Sequence, residues 1–286
     1  MMPVEGAADD REAWRGGLAL AQALEAHIEA VFVRPDPEEA FEYFGLETTS
    51  QSAESHQMRD RLDARGRAEA ERARRRFGAM CRKAGLPKAG SPNGAPVATA
   101  GWRTLTGEAA AVIPAAARGG DLSLFTASPA RYSALFENLL EVTMLRSGRP
   151  ALFIPGGAAR ARAPFTRPLI AWDATSGCVR AISALLDMTG AGAQATVLHI
   201  EEQAGDLPDM SEAARHLGWH GVAVRSGTRP RGFGSVGGAL LDAAGAAGAD
   251  LIVMGGYGRA RYSEALFGGV TRYVLRNARL PVLMAH

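Results

Sequence analysis

Near the carboxyl end, the apolar run Leu251-Ile252-Val253-Met254 leads into Gly255-Gly256-Tyr257-Gly258, and nine residues further on stands Gly268-Gly269-Val270-Thr271. Glycines at the end of a strand let a ligand approach the backbone, because no Cβ stands in the way. A glycine pair that opens a helix adds unpaired N–H groups, which suit an anion. The two segments together have the chemistry of a phosphate cradle.

Other chemistries find less support. Gly232-x-Gly234-x-x-Gly237 has the literal form of a dinucleotide fingerprint. It follows the third strand of its domain, its turn is lengthened by residues 227–232, and Gly255 stands where an acid should end the next strand. No P-loop pattern and no Gly-x-Ser-x-Gly elbow occurs. His216 and His220 have i, i+4 spacing, but Gly218 interrupts the helix and no acidic ligand accompanies them. No metal site and no catalytic set can be assembled, so the chain reads as a non-enzyme. Arg72, Arg74, Arg75 and Arg76 lie among Asp60, Asp63, Glu69 and Glu71, the pattern of a solvated helix face more than of a nucleic-acid patch.

Composition narrows the classes further. With 286 residues and 47% hydrophobic content the chain can bury one large core or two ordinary ones. A net charge of +2 gives no field for nucleic acid or a membrane surface. Cys81 and Cys178 are far apart and read as reduced thiols. No signal peptide or membrane-spanning run is recognisable, so a cytoplasmic location is expected.

The elements that must position the glycines are clearest in the second half. Strands are expected at 168–173, 195–200, 222–225, 250–254 and 281–284, with helices at 176–188, 211–218, 235–247 and 270–277 between them. Apolar strands alternating with helices indicate a parallel sheet covered on both faces. The first half repeats this order with losses: strands at 2–5, 28–33, 121–126 and 151–154, and helices at 12–26 and 57–83. Ala130-Arg-Tyr-Ser-Ala-Leu-Phe136 resembles Ala260-Arg-Tyr-Ser-Glu-Ala-Leu-Phe267, and Leu145-Arg146 resembles Leu275-Arg276. Gly101-Trp102 matches Gly218-Trp219, and the start of Gly119-Gly-Asp-Leu122 matches Gly248-Ala-Asp-Leu251. The simplest account is a duplication, with domains at 1–155 and 165–286 joined by a small-residue, basic stretch.

Gly-x2-Gly-x9-Gly after Asp250-Leu-Ile-Val-Met-Gly255 resembles the nucleotide signature of the universal stress protein family. Ile170-Ala-Trp-Asp-Ala-Thr175 and Val197-Leu-His-Ile200 extend the resemblance over the second half, and the duplication is similar to the family's tandem form. The resemblance implies an α/β fold of two doubly wound domains, adenine nucleotide alpha hydrolase-like. Each domain would be a five-stranded parallel sheet in the order 3-2-1-4-5, and the two would pair through their last strands. It implies one site for ATP or another adenine nucleotide, with Mg. Asp173 would meet the adenine amino group, Ala171 and Trp172 would line the base, and Ile200 would pack on its face. Gly255, Gly258 and Arg259 would lie along ribose and phosphates, and Gly268, Gly269, Val270 and Thr271 at the phosphate tail. Gly269 stands where the family has Ser or Thr, which removes one hydroxyl donor. The first half lacks Gly-x-x-Gly and carries Glu137-Asn138 near the helix start, so it is expected to bind no nucleotide. A non-catalytic stress-response protein follows, pairing its two domains internally, with a homodimer and an unidentified protein partner as further associations. Two other readings stand beside it: a slow ATP hydrolase using Glu264, and an interaction module whose pocket is closed by Tyr257, Arg259 or Trp172.

Overall fold

A computed structural model describes residues 1–5, 10–38, 53–90, 97–127, 132–156, 163–201, 205, 207–256 and 269–286. Their contacts divide them into two compact units, Met1–Gly120 and Asp121–His286.

The first unit contains β1 (Met2–Val4), α1 (Asp10–Ala23), β2 (His27–Arg34), α2 (Ala53–Ala84), β3 (Thr99–Thr106) and α3 (Ala109–Ala117). Its strands form a parallel sheet in the order β1-β2-β3. In α2 the spacing of Ala70, Ala73, Phe77 and Cys81 makes one buried stripe. The rest of α2 is charged and held by exposed i, i+3 and i, i+4 pairs such as Arg65–Glu69 and Arg75–Glu71. Phe77 meets Trp14 edge-on at 5.7 Å and Trp102 at 5.8 Å, and Trp102 stacks on Phe32 at 6.2 Å, so four elements share one aromatic cluster.

The second unit contains β4 (Ser123–Ala127), α4 (Ala134–Ser147), β5 (Ala151–Pro155), β6 (Pro168–Ala171), α5 (Ser176–Leu186), β7 (Gln194–Glu201), α6 (Ser211–Trp219), β8 (Ala223–Pro230), α7 (Val236–Ala246), β9 (Leu251–Gly255), α8 (Gly269–Asn277) and β10 (Val282–Ala285). One seven-stranded sheet runs β4-β5-β10-β9-β6-β7-β8. All neighbours are parallel except β5 and β10, which pair antiparallel with Leu283 opposite Leu152. Ser133, Thr175 and Ser235 cap α4, α5 and α7 by accepting a backbone N–H three residues on.

This arrangement corrects the expectation of two five-stranded parallel sheets. The strands divide three and seven, and the larger sheet is mixed. The physical reason is the free edge of β5. It pairs with the edge of β10, which draws β4 and β5 into the same sheet as β6 to β10. The element readings also needed repair. β3 and α3 escaped the pattern search, and β8 runs five residues beyond its expected end. The match of Gly101-Trp102 to Gly218-Trp219 fails, because the first pair lies in β3 and the second ends α6.

Glu137 on α4 is 2% exposed and lies opposite two arginines of α8. Arg276 donates to it through Nε at 2.7 Å, and Arg272 Nε stands 3.5 Å away. One turn along α4, Glu141 is equally buried, and its Oε2 has no hydrogen-bond partner. Burial lifts the Glu141 carboxyl to about 7; Arg272 opposes the rise and the Glu137 charge adds to it. A carboxyl whose folded value is raised stabilises the fold fully below its unfolded value, and that contribution is lost as pH rises through about 7. Urea denaturation of the intact chain should therefore lose stability between pH 5 and pH 8, on the order of 2 kcal/mol from this group. Glu141→Gln should flatten that part of the slope, and an unchanged slope in the variant would place the pH dependence elsewhere.

Candidate functional site

The order β9-β6-β7-β8 makes β6 a point of divergence. The chain leaves β6 toward β7 on one side and returns through β9 on the other. In open α/β sheets, ligands bind outside the carboxyl ends of the strands at such a switch point. Here those ends are adjacent, with Ala171 opposite Met254.

Beyond β6 the backbone turns sharply. Ala174 has φ +58, a left-handed conformation that costs a non-glycine residue roughly 1–2 kcal/mol. Asp173 holds the turn: its Oδ1 accepts the Thr175 N–H at 3.0 Å and the Thr175 hydroxyl at 2.7 Å. Thr175 Oγ1 in turn accepts the Cys178 N–H at 3.2 Å, which caps α5. Trp172 is 8% exposed and fixed at both ends. Its indole Nε1 donates to the Asp209 carbonyl at 2.9 Å, and its own carbonyl lies 2.9 Å from His199 Nδ1. Ile200 is buried beside these residues in the sheet core.

Gly255 ends β9 against the first turn of α5. A Cβ there would meet Thr175 Oγ1 at 2.8 Å and Cys178 N at 3.0 Å. From the other side, a Cβ on Gly177 would meet the Ala285 carbonyl at 2.7 Å and Gly255 Cα at 3.5 Å. The space without side chains at Gly255 is therefore filled by a helix, which seats the N-terminus of α5 directly on the strand ends. Gly256 faces Met144, whose Cε would lie 2.6 Å from an added Cβ, and its carbonyl is 3.1 Å from His286 Nδ1. Gly269 contrasts with all of these: it is exposed at the start of α8, and an added Cβ would meet nothing within 4 Å among the described residues. Val270 packs against the core, and Thr271 is 3% exposed.

The structure thus gathers Ala171, Trp172, Asp173 and Gly255 at adjoining strand ends and places Gly269, Val270 and Thr271 on the first turn of α8. Gly258, Arg259 and Gly268, with Tyr257 and Glu264, lie outside the described residues. Sequence reading missed Thr175, Gly177 and Cys178, although a Thr two residues after an Asp before a helical run is a readable cap signal. Cys178 is fully buried, and burial pushes its thiol up to about 12, with the Asp173 charge adding to the rise, so it is inert. Asp250, the first residue of the signature strand, is an anchor: its carboxylate accepts from Thr166 N at 2.7 Å and Arg167 N at 3.0 Å.

The other motifs resolve as packing. A Cβ on Gly237 would lie 2.8 Å from the Tyr273 ring, so this last glycine of the Gly-x-Gly-x-x-Gly run lets α7 lie close on α8. Gly232 supplies a left-handed turn at φ +69. The rings of His216 and His220 are 5.0 Å apart at the end of α6, and no group of three or more metal-ligating side chains occurs among the described residues. Counting back four residues from Leu145 and Leu275 puts Glu141 in α4 where α8 has Thr271. A buried carboxylate there replaces a hydroxyl. Among the described residues no helix is long and apolar enough to cross a membrane.

Residues 164–286 match the sequence model of the universal stress protein family. No curated protein matches the chain. The fold is similar to that of a universal stress protein from Archaeoglobus fulgidus DSM 4304, with a TM-score of 0.64 and 16% identity, covering 99% of this chain and 95% of that one. It is also similar to a functionally unknown protein from Pseudomonas aeruginosa PAO1, with a TM-score of 0.52 and 12% identity, covering 99% and 90%. A universal stress protein fold therefore extends over most of the chain.

The glycine geometry makes a graded prediction. Gly177→Ala and Gly255→Ala drive a methyl into backbone atoms and should each destabilise by about 1–3 kcal/mol in urea denaturation. Gly269→Ala should change stability by less than about 0.5 kcal/mol. Equal losses at all three positions would show that the close α5 contact does not set the requirement for glycine.

Proposed function

We propose that this protein is a tandem, non-catalytic stress-response protein of the universal stress type, with one adenine-nucleotide site in its second half. The carrying observation is the switch point itself: adjoining ends of β6 and β9, a strained turn held by Asp173, and two helix N-termini opening nearby. The match of residues 164–286 to the family supports the same reading.

Asp173 uses Oδ1 within its own turn, which leaves Oδ2 to accept from an adenine amino group. Ala171 and Trp172 would line the base and Ile200 would pack on its face. The phosphates would lie along Gly255, Gly258, Arg259 and Gly268 toward the start of α8, where no described residue crowds Gly269 and helix N–H groups favour an anion. Mg would accompany the phosphates. Val270 and Thr271 would contribute backbone N–H groups at the same turn; the buried Thr271 hydroxyl faces protein and would move outward to reach a phosphate.

The first half is proposed as a degenerate copy, with the duplicated domains at 1–155 and 165–286. Antiparallel pairing of β5 with β10, each the last strand of its half, supports that duplication. Glu141 where α8 has Thr271 supports a first half without nucleotide. Occupancy in the second half would then act by biasing association with a partner protein or a second copy, a regulatory role in the cytoplasm.

Calorimetric titration with ATP and Mg, with a phosphate-release assay alongside, tests this reading. Binding without turnover is expected, abolished by Asp173→Ala. Gly269→Ser restores the missing hydroxyl at a position with room for it and should tighten binding several-fold, for roughly 0.5–1.5 kcal/mol. Absence of binding at millimolar ATP would leave a ligand-free interaction module, and release of phosphate lost in Glu264→Gln would make the protein a hydrolase.

A further inference from the structure

In the first unit a cleft of about 480 Å³ opens between α2 and β3. It is lined by Arg34 at the end of β2, Trp102 and Thr104 on β3, and Arg67, Ala70, Glu71 and Arg74 on α2. That volume is in the range of small-ligand sites. Of the three arginines only Arg74 belongs to the cluster read from sequence as a solvated helix face; the cleft is part of the first unit, the switch point of the second.

Its construction is specific. Arg67, Ala70 with Glu71, and Arg74 follow the i, i+3/i+4, i+7 spacing of one helical stripe, so the two arginines start from backbone positions about 10 Å apart along the axis and flank the cleft. Between them Ala70, buried and small, leaves the floor open. Asp63 binds both Arg34 and Arg67, which fixes those guanidiniums side by side. Glu71 is 3.8 Å from Arg74 and 3.3 Å from Arg75, so the cleft's own carboxylate is shared by two arginines. Trp102 is backed by Phe32 and Phe77, and its half-buried ring borders the cleft. Its Nε1 donates to Thr104 Oγ1 at 3.0 Å, so the Thr104 hydroxyl proton is directed away from the indole and can be donated.

We infer that this cleft binds a small anion carrying a planar aromatic ring, with the ring against Trp102 and the anionic group between Arg67 and Arg74. Planar guanidinium forks recognise carboxylate and phosphate oxygens in pairs, and an aromatic face accepts any flat ring. Thr104 adds a neutral donor at the ring's edge. Glu71 sets the affinity by competing with the ligand for Arg74.

The test uses the full chain labelled with 5-fluorotryptophan, with the Trp102 resonance assigned through Trp102→Phe. Adenosine 5′-monophosphate is the probe, with ribose 5-phosphate and adenosine as its anionic and aromatic parts. The Trp102 resonance should shift saturably with the monophosphate, and each part alone should bind about tenfold more weakly or less. Arg67→Ala with Arg74→Ala, both on exposed side chains, should abolish the shift, and Glu71→Gln should tighten binding several-fold. A Trp102 resonance unmoved at millimolar monophosphate, or a shift that survives the double substitution, overturns the proposal. So does equal binding by either part alone. Nucleotide bound at the switch point would move the Trp172 resonance instead, so the two readings fail separately.

Discussion

The antiparallel ladder between β5 and β10 is the constraint on which the second unit depends. Every residue on both sides of the three paired positions is buried, so the backbone groups there have no water to bond and must bond each other. Pairing in the middle of a sheet removes two edges at once. It also sets Phe153 among Leu169, Ile252 and Val282, so that residues from both halves of the sequence share one core. From this ladder follow the contacts of α4: Met144 fills the space at Gly256 after β9, and Glu137 lies opposite Arg272 and Arg276 of α8. A charge buried at such a contact is tolerated because two guanidiniums and hydrogen bonds stand opposite it.

The glycines at the strand ends illustrate how packing and binding share one residue type. Gly177 and Gly255 are required by the close seat of α5 on the strand ends: a methyl on the first would meet the Ala285 carbonyl, and one on the second Thr175 Oγ1 and the Cys178 nitrogen. This contact also brings the N-terminus of α5 to the place where β6 and β9 end together. Gly269 has no such neighbour among the described residues. The same short sequence pattern therefore contains one glycine held by close packing and one that the described packing does not require. Asp173 divides its two oxygens in a similar way, with one holding the strained Ala174 turn.

Helices α4 and α8 present different groups to one another. In α8 the first turn carries an exposed Gly269 and a buried Thr271, whereas α4 carries Glu137 and Glu141, both buried. Glu137 pairs with Arg276 and Arg272 of α8, whereas burial favours the neutral form of Glu141. The first unit has meanwhile acquired a long charged helix, α2, whose small residues leave a cleft over Trp102. Its arginines satisfy acids on their own helix and still face one shared space.

Much of the second half was legible in its sequence. Apolar runs of four to six residues between helical periods located all five strands from β6 to β10, and the glycine spacing with Asp173 marked the end of the sheet where they converge. Such features are local: they rest on side-chain periodicity and on backbone freedom at single residues. Strand β3 was missed because Thr99-Ala-Gly-Trp-Arg-Thr-Leu-Thr106 alternates without an apolar face, its neighbours in α2 and β2 supplying the burial. Only the tertiary structure decided that β5 would join β10 and divide the strands three and seven, because an edge carries no mark of its partner in its own residues. It also decided which glycines serve packing, that Glu141 is buried, and that Arg34, Arg67, Arg74 and Trp102 meet, since each depends on distances between segments far apart in the chain.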